Sequence, residues 1–261
     1  MPPAARAPRL LAPLFAVSLG CGGPPAADAG PDGAARDEGG DAGDAGSDAG
    51  PLPACGTDAP LALGLCVDAA RYRADLETIA MPRPPGSAHW QAVQDLCATR
   101  LESLGFTVER HAYDTGVNVV GVRLGTSEPD RRVLIGAHYD STTDCPGADD
   151  NASGVAGALE AARVLARASF PRTLVVACWD EEERGLIGSE AYAARARGSG
   201  EAFDAHFDFE MIGYRDETPG SQTIPPGLDL LYPREAEALE RNGHRGDFIA
   251  VIGDEVASGA A

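Results

Sequence analysis

The apolar residues of this chain recur with two different periods, which predict helices and strands. Between residues 89 and 104 they lie three or four positions apart, as on one face of a helix, and Gly105 follows as a helix terminator. Helices are also predicted at 153–168 and 189–197. Strands are predicted between and after these helices, at 106–112, 117–124, 132–137, 173–179 and 205–211.

Two of the predicted strands, 132–137 and 173–179, are continuous apolar runs, which are typical of strands buried on both faces of a sheet. Strands separated by helices of this length favour parallel pairing with helices on each face. We therefore expect an α/β fold with a central mixed, largely parallel β-sheet and helices on both faces. In such a sheet, ligands bind at the carboxyl ends of the strands.

The first residues have the pattern of an export signal. Arg6 and Arg9 precede an apolar run at 10–19 that is too short to span a bilayer, and Cys21 follows closely. The pattern resembles a bacterial lipoprotein signal, in which Cys21 becomes the lipidated first residue. We therefore expect residues 1–21 to be a lipoprotein-type signal peptide, with an ordinary secretory signal as the alternative. Both interpretations predict export, as a cell-envelope lipoprotein or a secreted protein.

Residues 22–53 consist largely of Asp, Ala and Gly, with no apolar period. A segment this polar buries too little surface to offset the entropy lost on ordering, so we expect a disordered linker. The whole chain has a formal net charge of −19. Such a surface repels phosphate backbones, which argues against nucleic acid as a partner.

Five cysteines follow Cys21. In an exported protein some of them are expected to form disulfides. The loop between Cys55 and Cys66 is short, so these two are the first candidates for a pair. Cys178 lies within an apolar run and is expected to be buried.

Histidine and acidic residues cluster where predicted strands end. His138, the acidic run Asp180–Glu183 and Glu210 each lie at or near the carboxyl end of a predicted strand, and Asp149-Asp150 precedes the predicted helix at 153–168. Imidazole and carboxylate groups are ligands for zinc and other divalent metals. The pattern therefore indicates metal-assisted hydrolysis.

Six segments follow one another in an informative order. They are Arg83-Pro84-Pro85-Gly86-Ser87, Asn118-Val119-Val120, His138-Tyr139-Asp140, Gly147-Ala148-Asp149-Asp150-Asn151, Glu182-Glu183-Arg184-Gly185-Leu186 and Phe209-Glu210-Met211-Ile212-Gly213-Tyr214. From about residue 83 to 252, the chain resembles the M28 family of zinc metallopeptidases, which includes bacterial aminopeptidases. The resemblance implies a zinc-dependent exopeptidase-like fold. It also implies hydrolysis of N-terminal peptide bonds in peptides or proteins through a metal-activated water.

By this resemblance, His138 would bind the first metal and Asp140 would fix its ring. A metal-bound imidazole normally donates its other N–H to such an acceptor, which explains why one residue separates His138 from Asp140. Asp150 would bridge both metals, and Asp149 is expected to be a structural or solvating neighbour.

The same resemblance gives roles to three glutamates. Glu182 would be the general base, and Glu183 would bind the second metal. Glu210 would be the remaining carboxylate ligand of the first metal, at a position where the family often has Asp. The alternative for Glu210 is a buried, hydrogen-bonded side chain without a metal. Two zinc ions are expected in the intact family site.

The sequence departs from the family pattern at one point that affects the expected activity. The family has a last histidine ligand for the second metal in a Ser-Asp-His-like segment downstream, which the sequence to Ala261 lacks; the context of His244 resembles a surface loop instead. We therefore expect residues 54–261 to be a C-terminally incomplete M28-like peptidase domain, with two, one or no zinc ions. An inactive or truncated M28-like surface module is the alternative function. Glutaminyl cyclisation, which uses a similar fold with a single zinc, is a further alternative.

Overall fold

The structure is a computed structural model that describes residues 54–57, 59–224 and 226–253. The predicted signal peptide at 1–21, with Cys21, and the predicted linker at 22–53 lie outside the described residues. Within these residues, no helix combines the length and apolar character that a bilayer-crossing segment needs.

The strands of the described part form one mixed sheet in the order β1-β2-β4-β3-β5. β4, β3 and β5 are parallel neighbours, whereas β2 is antiparallel to both β1 and β4. The strand bounds are β1 Thr107–Ala112, β2 Val117–Arg123, β3 Glu128–His138, β4 Arg172–Trp179 and β5 Ala202–Asp208. β3 and β4 are the central pair, and their apolar runs are buried as expected.

Helices cover both faces of this sheet, so the predicted α/β architecture is confirmed. One face packs on α2, α3 and α4 through a core that includes Ile79, Leu101, Val155 and Val176. The other face packs on α5 through a core that includes Val175 and Tyr192. The helix bounds are α1 Pro60–Gly64, α2 Ala69–Ile79, α3 Ala88–Ser103, α4 Gly154–Leu165, α5 Ile187–Ser199, α6 Leu228–Leu231 and α7 Pro233–Arg241.

The prediction for the last strand is wrong at its carboxyl end. It was expected to run to residue 211, whereas β5 ends at Asp208. The Phe209 N–H still donates to the Gly136 carbonyl, but the Phe209 carbonyl and the Met211 N–H bond to the side chain of Asn151 instead. Met211 has a φ of 49°, so the chain turns out of the sheet here. Glu210 therefore lies on a turn beyond the strand.

The predicted pairing of Cys55 with Cys66 is confirmed, and this disulfide encloses α1. The Cys66 carbonyl accepts a hydrogen bond from Arg163, which fixes the segment to the end of α4. The next helix, α2, starts at the cap formed by Asp68, whose carboxylate accepts hydrogen bonds from two N–H groups of the first turn. These contacts attach the beginning of the described chain to the helical layer over β3 and β4.

The three parallel strands end side by side. His138 closes β3, Asp180 directly follows β4, and Glu210 comes two residues after β5. Because their carboxyl ends share one edge of the sheet, the ligand-type side chains gather there.

Candidate metal centre

His138 is at the centre of the candidate site because β3 lies between β4 and β5. The side chain is only 2% exposed, and its Nε2 atom faces three carboxylates. The distances from Nε2 are 3.0 Å to Asp150 Oδ1, 3.5 Å to Glu210 Oε2 and 3.8 Å to Glu182 Oε2. The predicted convergence of His138, Asp150 and Glu210 is thus present in the structure.

Asp150 comes from the turn between β3 and α4. Gly147 enters this turn in the left-handed conformation, and the irregular helical turn Ala148–Ser153 leads directly into α4. The Asp150–Asn151 peptide bond is cis. Ser153 Oγ donates to the Asp149 carbonyl, and Asp149 Oδ1 accepts from the Gly213 N–H. Asp149 therefore connects this turn to the turn that carries Glu210, the structural position expected for it.

Asn151 holds Glu210 beside Asp150. Its side chain is fully buried, and Nδ2 donates to Glu210 Oε2 at 3.0 Å and to the Phe209 carbonyl at 2.7 Å. Asn151 Oδ1 accepts from the N–H groups of Gly154 and Met211. The position of Asn151 next to Asp150 is the one feature of the sequence that points to this role. Glu210 has a hydrogen-bond partner, but its side chain is 49% exposed, so the alternative of a buried glutamate is wrong.

These residues suit a divalent metal. His138 Nε2 is a buried polar atom without a hydrogen-bond partner of acceptable geometry. His138, Asp150 and Glu210 each place one possible ligand atom within 4.8 Å of the other two. Among the described residues, these three side chains form the group that could hold a metal ion. Imidazole nitrogen with two carboxylate oxygens is a common donor set for catalytic zinc, which keeps further positions open for water or substrate.

Asp140 connects His138 to the acidic turn, Asp180–Glu183. The Asp140 side chain is fully buried, and its Oδ1 atom lies 3.3 Å from His138 Nδ1. The same oxygen accepts from the Glu182 N–H, and Oδ2 accepts from the Glu183 N–H. One carboxylate thus fixes both the imidazole ring and the backbone that presents two predicted site residues. Asp140 lies within reach of the His138 ring, and its orienting role stays a prediction.

The four acids of the acidic turn have different environments. Asp180 and Glu181 are buried and make their hydrogen bonds outside the His138 cluster. Asp180 accepts from Trp90 Nε1 and the Val117 N–H, and Glu181 bonds to Thr115 and Arg184. Glu182 and Glu183 are partly exposed, and of these two Glu182 is the one within 4 Å of His138 Nε2. Glu183 does not belong to the cluster of His138, Asp150 and Glu210.

Burial and the neighbouring charges shift several pKa values at the site. Burial lowers the pKa of His138, but the nearby carboxylates of Asp140, Asp150 and Glu210 outweigh it, and the net pKa is well above its ordinary value. Burial is also the main reason for the raised pKa of Glu182, although the charge of His138 opposes it. Burial and the charge of Asp150 raise the pKa of Glu183 to about 7. A bound cation would favour the ionised form of these carboxylates.

Comparison with known proteins agrees with this geometry. The family model described as Peptidase family M28 matches residues 118–247. Leupeptin-inactivating enzyme 1 of Streptomyces exfoliatus is 32% identical over 209 residues, which cover 72% of this chain and 46% of that protein. The uncharacterized protein YfbL of Escherichia coli K12 is 44% identical over 136 residues, 46% of this chain and 38% of that protein. The chain therefore spans less than half the length of these two relatives.

Among solved structures, BSAP, a zinc aminopeptidase from Bacillus subtilis, has a TM-score of 0.53 at 14% identity. The alignment covers 69% of this chain and 79% of that one, and at this identity it shows a shared fold. The fold, the ligand cluster at the carboxyl edge of the sheet and the matched family model agree. The chain therefore belongs to peptidase family M28.

Proposed function

We propose that this protein is a zinc-dependent aminopeptidase that hydrolyses the N-terminal peptide bond of peptides or proteins. The observation that carries the proposal is the buried Nε2 atom of His138, which faces Asp150, Glu182 and Glu210 at 3.0 to 3.8 Å. The membership in family M28 supports a metallopeptidase, and the Bacillus subtilis structural neighbour is described as a zinc aminopeptidase.

In this proposal, His138, Asp150 and Glu210 would hold one zinc ion. Asp150 and Glu183 would provide ligands for a second ion. Bound zinc would polarise the scissile carbonyl and lower the pKa of a water molecule to near 7. Asn151 and Asp140 keep Glu210 and His138 in place through the hydrogen bonds described above.

Glu182 is the proposed general base. Its side chain is 22% exposed, so it can reach both the solvent side of the site and the metal-binding atom of His138, 3.8 Å away. Its backbone is held by Asp140, which limits where the carboxylate can point. Glu182 would take a proton from the attacking water and then give it to the amine that leaves.

The charge of the site supports a free N-terminus as the recognised group. Glu182, Glu183 and Glu210 are all partly or largely exposed around the ligand cluster, so they create a negative potential at its mouth. The α-ammonium group of a peptide is attracted by such a potential, and the attraction is strong where water is partly excluded.

Turnover of aminoacyl p-nitroanilides during zinc titration tests the proposal. We expect activity that requires zinc, with Glu182→Gln slower by at least about a hundredfold because general-base catalysis is lost. Glu190→Gln, at an exposed site on α5, is the control and should match the parent. A peptide with an acetylated N-terminus should resist hydrolysis.

Two results would contradict the proposed aminopeptidase activity. Absence of turnover, together with one zinc or none per chain, would support a surface module without catalysis. Cyclisation of an N-terminal glutaminyl peptide without release of an amino acid would assign the site to amine attack within the substrate.

We also propose that the protein is exported and anchored to the cell envelope through a lipid on Cys21. The Cys55–Cys66 disulfide supports export, since such bonds persist in oxidising compartments. Radiolabelled palmitate should enter the parent chain and not the Cys21→Ser variant. Label in neither chain, with the protein in the culture medium, would instead indicate plain secretion.

A further inference from the structure

Arg83 is a buried cation to which the proposed mechanism gives no role. It lies in the segment between α2 and α3, within the Arg-Pro-Pro-Gly-Ser stretch that resembles the peptidase family. The whole residue is inaccessible to solvent. A buried guanidinium usually pairs with a carboxylate, because the cost of removing its charge from water is large.

The guanidinium of Arg83 bonds to main-chain carbonyls instead. Nε donates to Tyr139 at 2.6 Å, and the two terminal nitrogens donate to Pro146 at 2.7 Å and Gly147 at 2.9 Å. Two longer bonds reach the carbonyls of Ile79 and Met81 in its own segment. All five hydrogen bonds are therefore made to backbone oxygen atoms.

The accepting carbonyls belong to the two segments that carry proposed ligands. Tyr139 lies between His138 and Asp140, just beyond β3. Gly147 is three residues before Asp150, and its carbonyl also accepts from the Ala152 N–H within the same turn. The guanidinium thus bridges the end of the strand and the turn that presents Asp150.

The main chain of Arg83 reinforces the bridge. Its N–H donates to Ser141 Oγ at 2.9 Å, and its carbonyl accepts from the Ser141 N–H at 3.3 Å. Gly147 has a φ of 54°, and a Cβ there would lie 2.3 Å from the Asp150 carbonyl and 3.0 Å from the guanidinium. Glycine is therefore required for the turn to close around Arg83.

We propose that Arg83 is a positioning residue that fixes the Asp150 turn against the end of β3, and so sets the spacing between Asp150 and His138. The part of this inference that concerns zinc rests on the proposed function. The part that concerns the turn rests on the hydrogen bonds alone.

The charge and the geometry of Arg83 have opposite effects on a bound cation. The positive charge near Asp150 repels zinc, so a purely electrostatic residue would weaken zinc binding, and its removal would strengthen it. A residue that holds the ligands in place strengthens zinc binding, and its removal weakens it. Arg83→Lys keeps the charge but loses the planar arrangement of donors, and Arg83→Met loses both.

Hydrogen exchange of the metal-free protein tests the role in the turn. We expect amides between 141 and 152 to exchange at least about tenfold faster in Arg83→Lys, while amides of β4 keep the parent rate. Arg163→Lys is the matched control, because Arg163 also donates to a main-chain carbonyl but lies at the opposite end of α4. Unchanged exchange in Arg83→Lys would overturn the proposal, whether or not the protein binds zinc.

Zinc affinity, measured by competition with a chromophoric chelator, tests the consequence for the ligands. We expect both Arg83 variants to bind zinc at least about tenfold more weakly than the parent and Arg163→Lys. Equal or tighter binding would overturn the proposal and leave only an effect of charge. If Arg83→Met does not fold, the comparison of Arg83→Lys with the parent decides. A parent chain that binds no zinc would refute the proposed function, and hydrogen exchange would then decide on Arg83 alone.

Discussion

Asn151 donates a hydrogen bond from its side-chain amide to Glu210 Oε2, 3.0 Å away. The bond joins the turn after β3 to the turn after β5, and it is made to the same carboxylate oxygen that lies 3.5 Å from His138 Nε2. A ligand that is held in this way loses little freedom when it binds an ion, which raises the affinity of the site.

Replacement of Asn151 should therefore weaken metal binding. Asn151→Asp loses both donors and places a negative charge against Glu210, so we expect zinc binding about tenfold to a hundredfold weaker. Chelator competition measures this affinity. Asn242→Asp makes the same change in an exposed amide that bonds to Asp247, and it should have no effect. Parent-like affinity in Asn151→Asp would show that Glu210 needs no such support.

Asp140→Asn should reduce both zinc affinity and turnover. The carboxylate accepts two backbone N–H groups and faces His138 Nδ1, whereas an asparagine turns one of its acceptors into a donor. We expect zinc binding about tenfold to a hundredfold weaker, with a parallel fall in kcat. Asp144→Asn, at an exposed position of the same loop, serves as the control. Normal kcat in Asp140→Asn would exclude the orienting role.

The metal-free protein should lose stability as the pH rises through the neutral range. The pKa of Glu183 is raised from 4.5 to about 7, mainly by burial, so between these values the native state binds more protons than the unfolded state. The raised pKa values of Glu182 and His138 act in the same direction. We expect Tm in the presence of a chelator to fall from pH 4.5 to pH 7.

Glu183→Gln isolates the contribution of one carboxyl group to this pH dependence. The neutral amide cannot ionise, so Tm should fall less steeply between pH 4.5 and 7 than in the parent. Glu190→Gln should keep the parent profile. An equally steep fall in Glu183→Gln would mean that Glu183 has an ordinary pKa in the folded protein.

Loss of the Cys55–Cys66 disulfide should destabilise the protein. The bond joins residues eleven positions apart, and a closed loop of this size is worth about 2–3 kcal/mol through its effect on the unfolded chain. We expect the Cys55→Ser/Cys66→Ser double variant to show this decrease in the free energy of unfolding by urea. Val67→Ser, an exposed neighbour, should not. An unchanged midpoint would mean that the segment around α1 unfolds separately from the rest.

Much of the fold could be predicted because the central elements have clear periods. The predicted helix at 89–104 corresponds to α3 at Ala88–Ser103, and the strand at 173–179 to β4 at Arg172–Trp179. Helices α2 and α7 were not predicted. Each buries one residue, Ile79 and Leu239 respectively, so neither has the series of buried apolar positions that made α3 predictable. Their positions depend on contacts with other parts of the chain.

The ligand cluster could be predicted from short motifs, whereas its supports could not. His138, Asp150 and Glu210 lie at the carboxyl ends of predicted strands or just before a predicted helix, and residue type alone indicates their chemistry. The roles of Arg83 and Asn151 depend on hydrogen bonds to residues 56 to 64 positions away. A local pattern contains no information on such pairs, and asparagine or arginine at these positions has many other uses.

Trp90 lies close enough to the candidate metal centre for its intrinsic fluorescence to report on ion binding. Its indole N–H donates to Asp180 at 2.8 Å, and its ring stacks on Tyr139, the neighbour of His138. The chain has two tryptophans, and the second, Trp179, lies in the core on the opposite face of the sheet. Fluorescence emission from Trp90 should respond when an ion binds beside the acidic turn, and comparison with Trp90→Phe would separate this response from the emission of Trp179. Occupancy of the site can thus be followed without a dye, label or substrate.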